Sequence, residues 1–305
     1  MSRVFTLAAA QYPIDRLGSW QAYKSKLVRW VESAAREGAQ LLVFPEYGGM
    51  ELASLFGPEV ERDLHRQLEA VAGLEREVAD LHRDLARRTG VYILSASAPA
   101  QAGDGRYHNR ARLTSPEGMA GVQDKIVMTR FEREQWGVSG GQDLRVFSTP
   151  FGRIGVAICY DVEFPLIARR LVEAGAELIL APSCTDTLRG YHRVRVGAQA
   201  RALENQCLVV QAPTVGEAAW SPAVDVNVGA AAVYAPPDIG YPEDGVVVRG
   251  RMNEAMWVFA ELDLDRMAEV RAHGQVLNHR DWPEQDGTVT LPTLALGEAL
   301  PVLLN

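Results

Sequence analysis

Short apolar runs of strand length alternate with longer stretches of helical periodicity, and this alternation is what most constrains the fold of the chain. Val4–Ala10 (VFTLAAA) and Leu41–Phe44 (LLVF) are continuous apolar runs. Between them, Trp20–Gly38 carries Trp20, Tyr23, Leu27, Trp30, Val31 and Ala34 at helical spacing and closes on glycine. Leu74, Val78, Leu81 and Leu85 repeat the helical stripe, with Glu, Asp and Arg on a solvated opposite face, before a stop at Gly90 and a strand over Val91–Ala98. Continuous apolar strands separated by amphipathic helices belong to α/β folds whose sheets are covered on both faces.

The middle of the chain turns to hairpins. Tyr107–Thr114 and Met119–Asp124 flank the turn tetrapeptide Ser115-Pro116-Glu117-Gly118, and Leu144–Ser148 runs through Thr149-Pro150-Phe151-Gly152 into Arg153–Cys159. Pro165–Gly175 then reads as a helix, Glu177–Ala181 as a strand, Tyr191–Gln206 as a helix and Cys207–Gln211 as an apolar strand. Val228–Tyr234, Val246–Val248 and Trp257–Leu262 complete a second set of strands. Pro213–Asp225 and Ala235–Gly245 carry enough Gly and Pro to be surface loops. Repeats, low-complexity stretches and linker-like composition are lacking, so residues 1–305 are expected to form one layered α/β domain. Residues 264–305 are its helix-like start and polar tail, and such a tail needs something to pack on.

Composition excludes several classes of function. The net charge of −8 and the lack of basic runs with interleaved aromatics argue against nucleic acid or an anionic membrane surface. No stretch approaches the ~20 apolar residues of a membrane helix, and Val4–Ala10 is too short for a signal segment, so a cytoplasmic protein is expected. The six histidines form no H-x-H or HExxH pair; neither a metal nor a cofactor is expected. Cys159, Cys184 and Cys207 lack disulfide-framework spacing.

Three positions can carry chemistry. Cys159 ends the run Ile154-Gly155-Val156-Ala157-Ile158, Glu46 follows Phe44-Pro45, and Lys125 closes Met119–Asp124. Taken singly, each has an ordinary explanation as a core thiol, a loop acid or a surface lysine. Together they form a working set. A thiol needs its proton removed, a buried carboxylate can take that proton, and a fixed ammonium can steady the oxyanion of acyl transfer.

The motifs around these residues make the chain resemble the nitrilase superfamily of carbon–nitrogen hydrolases over nearly its full length. Phe44-Pro45-Glu46 matches the glutamate motif and Gln123-Asp124-Lys125 the lysine motif. Gly155-Val156-Ala157-Ile158-Cys159-Tyr160-Asp161, followed by Phe164-Pro165, matches the cysteine motif. Leu7–Gln11, Tyr107–Leu113 around Asn109, and Ala200–Asn205 match supporting stretches. The resemblance implies a four-layer α-β-β-α sandwich, paired into homodimers or higher homo-oligomers through helices near the cysteine and through the C-terminal tail. It also implies a second glutamate holding the lysine, for which Glu132 fits best and Glu134 is a rival. The backbone N–H of Tyr160 becomes the second oxyanion donor, and Ser183 and Thr185 fall where the family lines its pocket.

Cys-Tyr-Asp at 159–161, rather than Cys-Trp-Glu, resembles the amide-cleaving relatives. The expected activity is hydrolysis of a small amide to carboxylate and ammonia through a cysteine thioester, with a nitrilase or N-carbamoyl hydrolase as the alternatives. A catalytically silent dimeric binding protein is the rival from another class. The loops Phe131–Gly141, Ser183–Gly190 and Pro213–Asp225 are expected to shape the pocket, and Trp136 and Trp220 within them either wall it or sit on the surface.

Overall fold

The computed structural model describes residues 3–287, and its first strand, Val4–Pro13, sets the layering. Side chains alternate across a strand with period two. Phe5, Leu7 and Ala9 therefore enter one apolar core, while Ala8, Ala10 and Tyr12 enter another. A strand buried on both faces must lie between two layers.

One sheet runs, in spatial order, through Met256–Asp263, Val4–Pro13, Leu41–Val43, Tyr92–Leu94 and Tyr107–Thr114. The three strands at its centre are parallel. A second sheet runs through Val146–Ser148, Arg153–Val156, Leu178–Ser183, Leu208–Glu217, Ala232–Tyr234 and Val246–Arg249, again with a parallel centre. Phe151, in the turn of the second sheet's outer hairpin, stacks on Phe5 of the first with ring centres 4.3 Å apart. The sheets also touch at one end, where Tyr12 and Pro13 pair with Thr214 and Val215.

Helices cover the outer faces. Trp20–Arg36, capped by the Ser19 hydroxyl, and Glu75–Thr89, ended by Gly90 at φ 71°, lay Tyr23, Leu27, Val31, Leu81 and Leu85 on Ala8, Leu42 and Ile93. Pro165–Glu173 and Leu188–Asn205 cover the other sheet. The first of these approaches so closely that a Cβ on Gly155 would stand 3.0 Å from the Leu171 side chain. The result is the α-β-β-α sandwich that the motifs implied.

The differences from the sequence reading fall where backbone groups serve the site. The expected strand Val91–Ala98 breaks into Tyr92–Leu94 and Ala98–Gln101. Between them Ser97 donates its N–H to Pro45 O at 3.0 Å, and its hydroxyl takes the N–H of Tyr47 at 3.0 Å. These groups hold the turn after Leu41–Val43 instead of extending the sheet. Pro213–Glu217, read as loop, is the end of a long strand, because Thr214 and Val215 are where the two sheets join. Gly48–Phe56, Pro58–Glu61 and Leu64–Ala72 form three short helices that no periodicity announced. Beyond Leu264–His273, which is helical, most of the tail lies outside the described residues. Among the described residues no helix is long and apolar enough to cross a membrane.

Candidate active site

Glu46 and Cys159 each lie three residues past the C-terminal end of a parallel strand, and Cys184 one residue past another. The crevice outside the carboxyl ends of parallel strands is where α/β sheets present chemistry. Lys125 arrives from the opposite edge, one residue beyond the hairpin strand Ala120–Asp124. Its N–H donates to Asn109 O at 2.9 Å.

The four charged or nucleophilic side chains meet in a sealed cluster. Lys125 Nζ donates to Glu46 Oε1 at 2.7 Å and to Glu132 Oε2 and Oε1 at 2.7 and 2.9 Å. Lys125 and Glu46 keep only 1 % of their surface, Glu132 2 % and Cys159 4 %. Glu132, and not Glu134, stands on Lys125; Glu134 points outward and pairs with Arg130 at 2.7 Å. A five-residue π-helical turn, Glu132–Trp136, aims Glu132 inward. There Glu132 also accepts from Tyr47 OH at 2.7 Å and from the Thr129 N–H and hydroxyl at 2.8 and 2.7 Å.

Glu46 is held on both oxygens. Asn109 Nδ2 donates to Oε1 and the Cys184 N–H to Oε2, each at 2.9 Å. Neither partner is obvious from its own residue type, although Asn109 lies in a stretch that matched the family pattern. The Cys159 thiol lies 3.8 Å from the Cys184 carbonyl, and the Glu46 carboxylate is close enough to raise its pKa. Cys159 adopts φ 49°, a left-handed conformation that costs a side-chain-bearing residue about 1–3 kcal/mol and is kept only where its surroundings enforce it.

Asp161 does much of that enforcing. Its carboxylate accepts from the N–H groups of Ile126 at 3.0 Å, Val127 at 2.8 Å and Ile158 at 3.3 Å. One side chain thus ties the lysine loop to the cysteine turn, a role invisible in the sequence beyond its place in Cys-Tyr-Asp. From behind, Arg201 donates to Val162 O at 3.2 Å. Gly197 lets the helix Leu188–Asn205 approach until an added Cβ would be 3.0 Å from that same carbonyl. Replacing Asp161 with asparagine turns an NH2 group toward at least one of those N–H donors. The expected result is a stability loss of about 1–3 kcal/mol in urea titration together with reduced turnover.

Burial and pairing set the charges. Burial pushes the Glu46 carboxyl up, opposed by Lys125 and reinforced by Glu132. Burial also acts on Glu132, but the ammonium and its hydrogen bonds bring this carboxyl below the ordinary range. Lys125 loses stability as a cation through burial, yet the two glutamates hold its pKa well above the usual value. Burial and the neighbouring Glu46 charge raise the Cys159 thiol well above its ordinary value. At neutral pH the resting arrangement is therefore a thiol beside a carboxylate of raised basicity, with an ammonium between two acids.

The remaining positions are less uniform. Tyr160 is half-buried, its ring edge-on to Phe164. Ser183 is fully buried, and its hydroxyl has no hydrogen-bond partner among the described residues. The Thr185 hydroxyl donates to Val228 O at 2.8 Å, so it braces the neighbouring loop. Trp136 is buried against Tyr47, donating to Leu64 O at 3.0 Å, whereas Trp220 is half-buried. Cys207 is a core thiol, with burial raising its pKa to about 12. Among the described residues no group of His, Cys, Asp and Glu is placed to hold a metal ion.

Comparison with known proteins identifies the family and the fold. Residues 6–272 match the family model described as carbon-nitrogen hydrolase. A probable hydrolase, YhcX of Bacillus subtilis, is 32% identical over 90% of this chain, and the match covers 53% of that relative, about half its length. The omega-amidase NIT2-B of Xenopus laevis is 26% identical over 88% of this chain and 91% of its own. The crystal structure of Saccharomyces cerevisiae Nit3, a member of branch 10 of the nitrilase superfamily, superposes with a TM-score of 0.69. It shares 19% identity and covers 88% of this chain and 93% of Nit3, which is a likeness of fold.

Proposed function

The chain belongs to the carbon–nitrogen hydrolase family, and we propose that it cleaves a small non-peptide amide to carboxylate and ammonia through a thioester on Cys159. The observation that carries this reading is the sealed Glu46–Lys125–Glu132 cluster placed directly against a thiol held in a left-handed turn. Glu46 takes the thiol proton as sulfur attacks the amide carbon. Lys125 and the Tyr160 N–H stabilise the oxyanion, and Glu46 then protonates the leaving ammonia. The thioester is hydrolysed by water that Glu46 activates, completing a ping-pong cycle. Glu132 keeps Lys125 in place. Ser183 contributes a buried hydroxyl to the pocket wall, and Thr185 shapes that wall through Val228.

The amide reading over the nitrile reading rests on Cys159-Tyr160-Asp161 and on the amidase names among the relatives. A cytoplasmic homodimer or higher homo-oligomer belongs to the same proposal, within one domain whose C-terminal tail packs at the interface. Three unpaired thiols, and the exposed Leu166, Leu188, Val196 and Leu203 on the two helices behind the cysteine turn, support it. Ammonia release should be followed in parallel from a nitrile and its matching amide, alongside N-carbamoyl amino acids. Turnover of the amide at least tenfold above the others is expected. Turnover of the nitrile alone would replace the amidase reading with a nitrilase.

A further inference from the structure

One acidic side chain close to the cysteine takes no part in the cluster. Glu163 ends the five-residue helical turn Cys159–Glu163 that begins at the thiol. Glu46, Glu132 and Lys125 are sealed, but the Glu163 side chain keeps 20% of its surface. Its companion is Arg193, from the helix Leu188–Asn205, whose Nε stands 3.6 Å from Glu163 Oε1 with 62% of the side chain in solvent. A pair this long and this exposed is weak, so the guanidinium is readily displaced. Gly197 of the same helix packs where an added Cβ would be 3.2 Å from Glu163 Cα, which fixes the backbone of this carboxylate relative to the cysteine turn. Burial raises the Glu163 carboxyl, and among the charges that act on it is Lys125, so the two share one electrostatic environment.

The charges around the thiol therefore lean negative. Lys125 is shared by Glu46 and Glu132, Asp161 is tied to backbone N–H groups, and Glu163 adds a carboxylate on the outer side whose ion-pair partner is the exposed Arg193. We propose that Glu163 is the specificity-determining residue of this site, binding a positively charged amine at the far end of the amide substrate, with Arg193 as the counter-ion it exchanges for that amine. This names a substrate class, ω-amino amides, and rests on the amidase reading above.

Two measurements on the full-length protein test it. The first follows ammonia release from three amides of similar length: 4-aminobutanamide, pentanamide and the monoamide of glutaric acid. The cationic amide should lead in kcat/KM and the anionic one should trail. Glu163→Gln should reduce the cationic-to-anionic ratio about tenfold, through KM more than kcat. Arg193→Gln should move the ratio the other way. The second needs no turnover. The trimethylammonioethyl and sulfonatoethyl methanethiosulfonates are used to label Cys159, read on its own peptide by mass and referenced to a free thiol. The cation should react relatively faster, and Glu163→Gln should remove the preference. Equal ratios in parent and variants, or a parent preference for the anion, would overturn the proposal. Failure of every amide together with the expected labelling ratios would overturn the amidase reading and leave the charge preference standing. Normal pentanamide turnover with a ratio indifferent to Glu163 would do the reverse.

Discussion

Replacing Lys125 with methionine is expected to reduce turnover at least a thousandfold and to cost about 3–5 kcal/mol of stability in urea unfolding. The size follows from what the substitution leaves behind. Glu46 and Glu132 face the ammonium at 2.7 Å from opposite sides, and both are buried. Without the cation, two buried carboxylates are left facing each other, and one of them must take up a proton. Glu46 is the one that will, because its pKa is already raised while Glu132 is steadied by Tyr47 and Thr129. A protonated Glu46 cannot accept the thiol proton. The acid limb of kcat/KM therefore moves to higher pH in the variant, since the base is active only above its own pKa. A double variant, Lys125→Met with Glu132→Gln, should recover part of the stability and none of the activity. A Lys125→Met protein with near-parental turnover would remove the lysine from the mechanism.

Cys159→Ala is expected to give the largest kinetic effect with the smallest structural one. Loss of ammonia release should exceed about 10⁴-fold, comparable with the loss of a nucleophile in other covalent hydrolases. Folding should survive, because the left-handed turn is held by Asp161, Arg201 and the backbone bond from Ala157 N to Leu180 O at 2.9 Å, and not by the sulfur. Removing one buried sulfur costs no more than a small cavity, on the order of 1 kcal/mol. An inactive variant whose stability falls by no more than about 1 kcal/mol is the expected pair of readings. An inactive and unfolded one would mean that the thiol contributes packing that these contacts do not show.

The contrast between the residues that the sequence announced and those it did not has a physical basis. Glu46 and Cys159 each follow an apolar run and break it with a group that can do chemistry, which makes them conspicuous in one dimension, whereas Lys125 follows Gln123-Asp124 and stood out only through the motif resemblance. Glu132 and Glu134 are two residues apart on a short turn, and linear spacing could not separate them; the π-helical geometry sends one inward and leaves the other on Arg130. Asp161, Tyr47 and Thr129 were silent because their work is to hold backbone or side-chain groups brought together from distant segments. The alternation of strands and helices was legible from periodicity, and the four layers from the motif resemblance. The break at Ser95–Ser97 and the strand through Pro213 were not, since what decides them is which backbone partner is nearer in space.

The most direct test of the central claim is the mass of the protein quenched in acid during its first turnover of an amide substrate. The account predicts that the acyl group of the substrate is found on the peptide containing Cys159, in step with the first equivalent of ammonia. Release of that ammonia with Cys159 unmodified would contradict it.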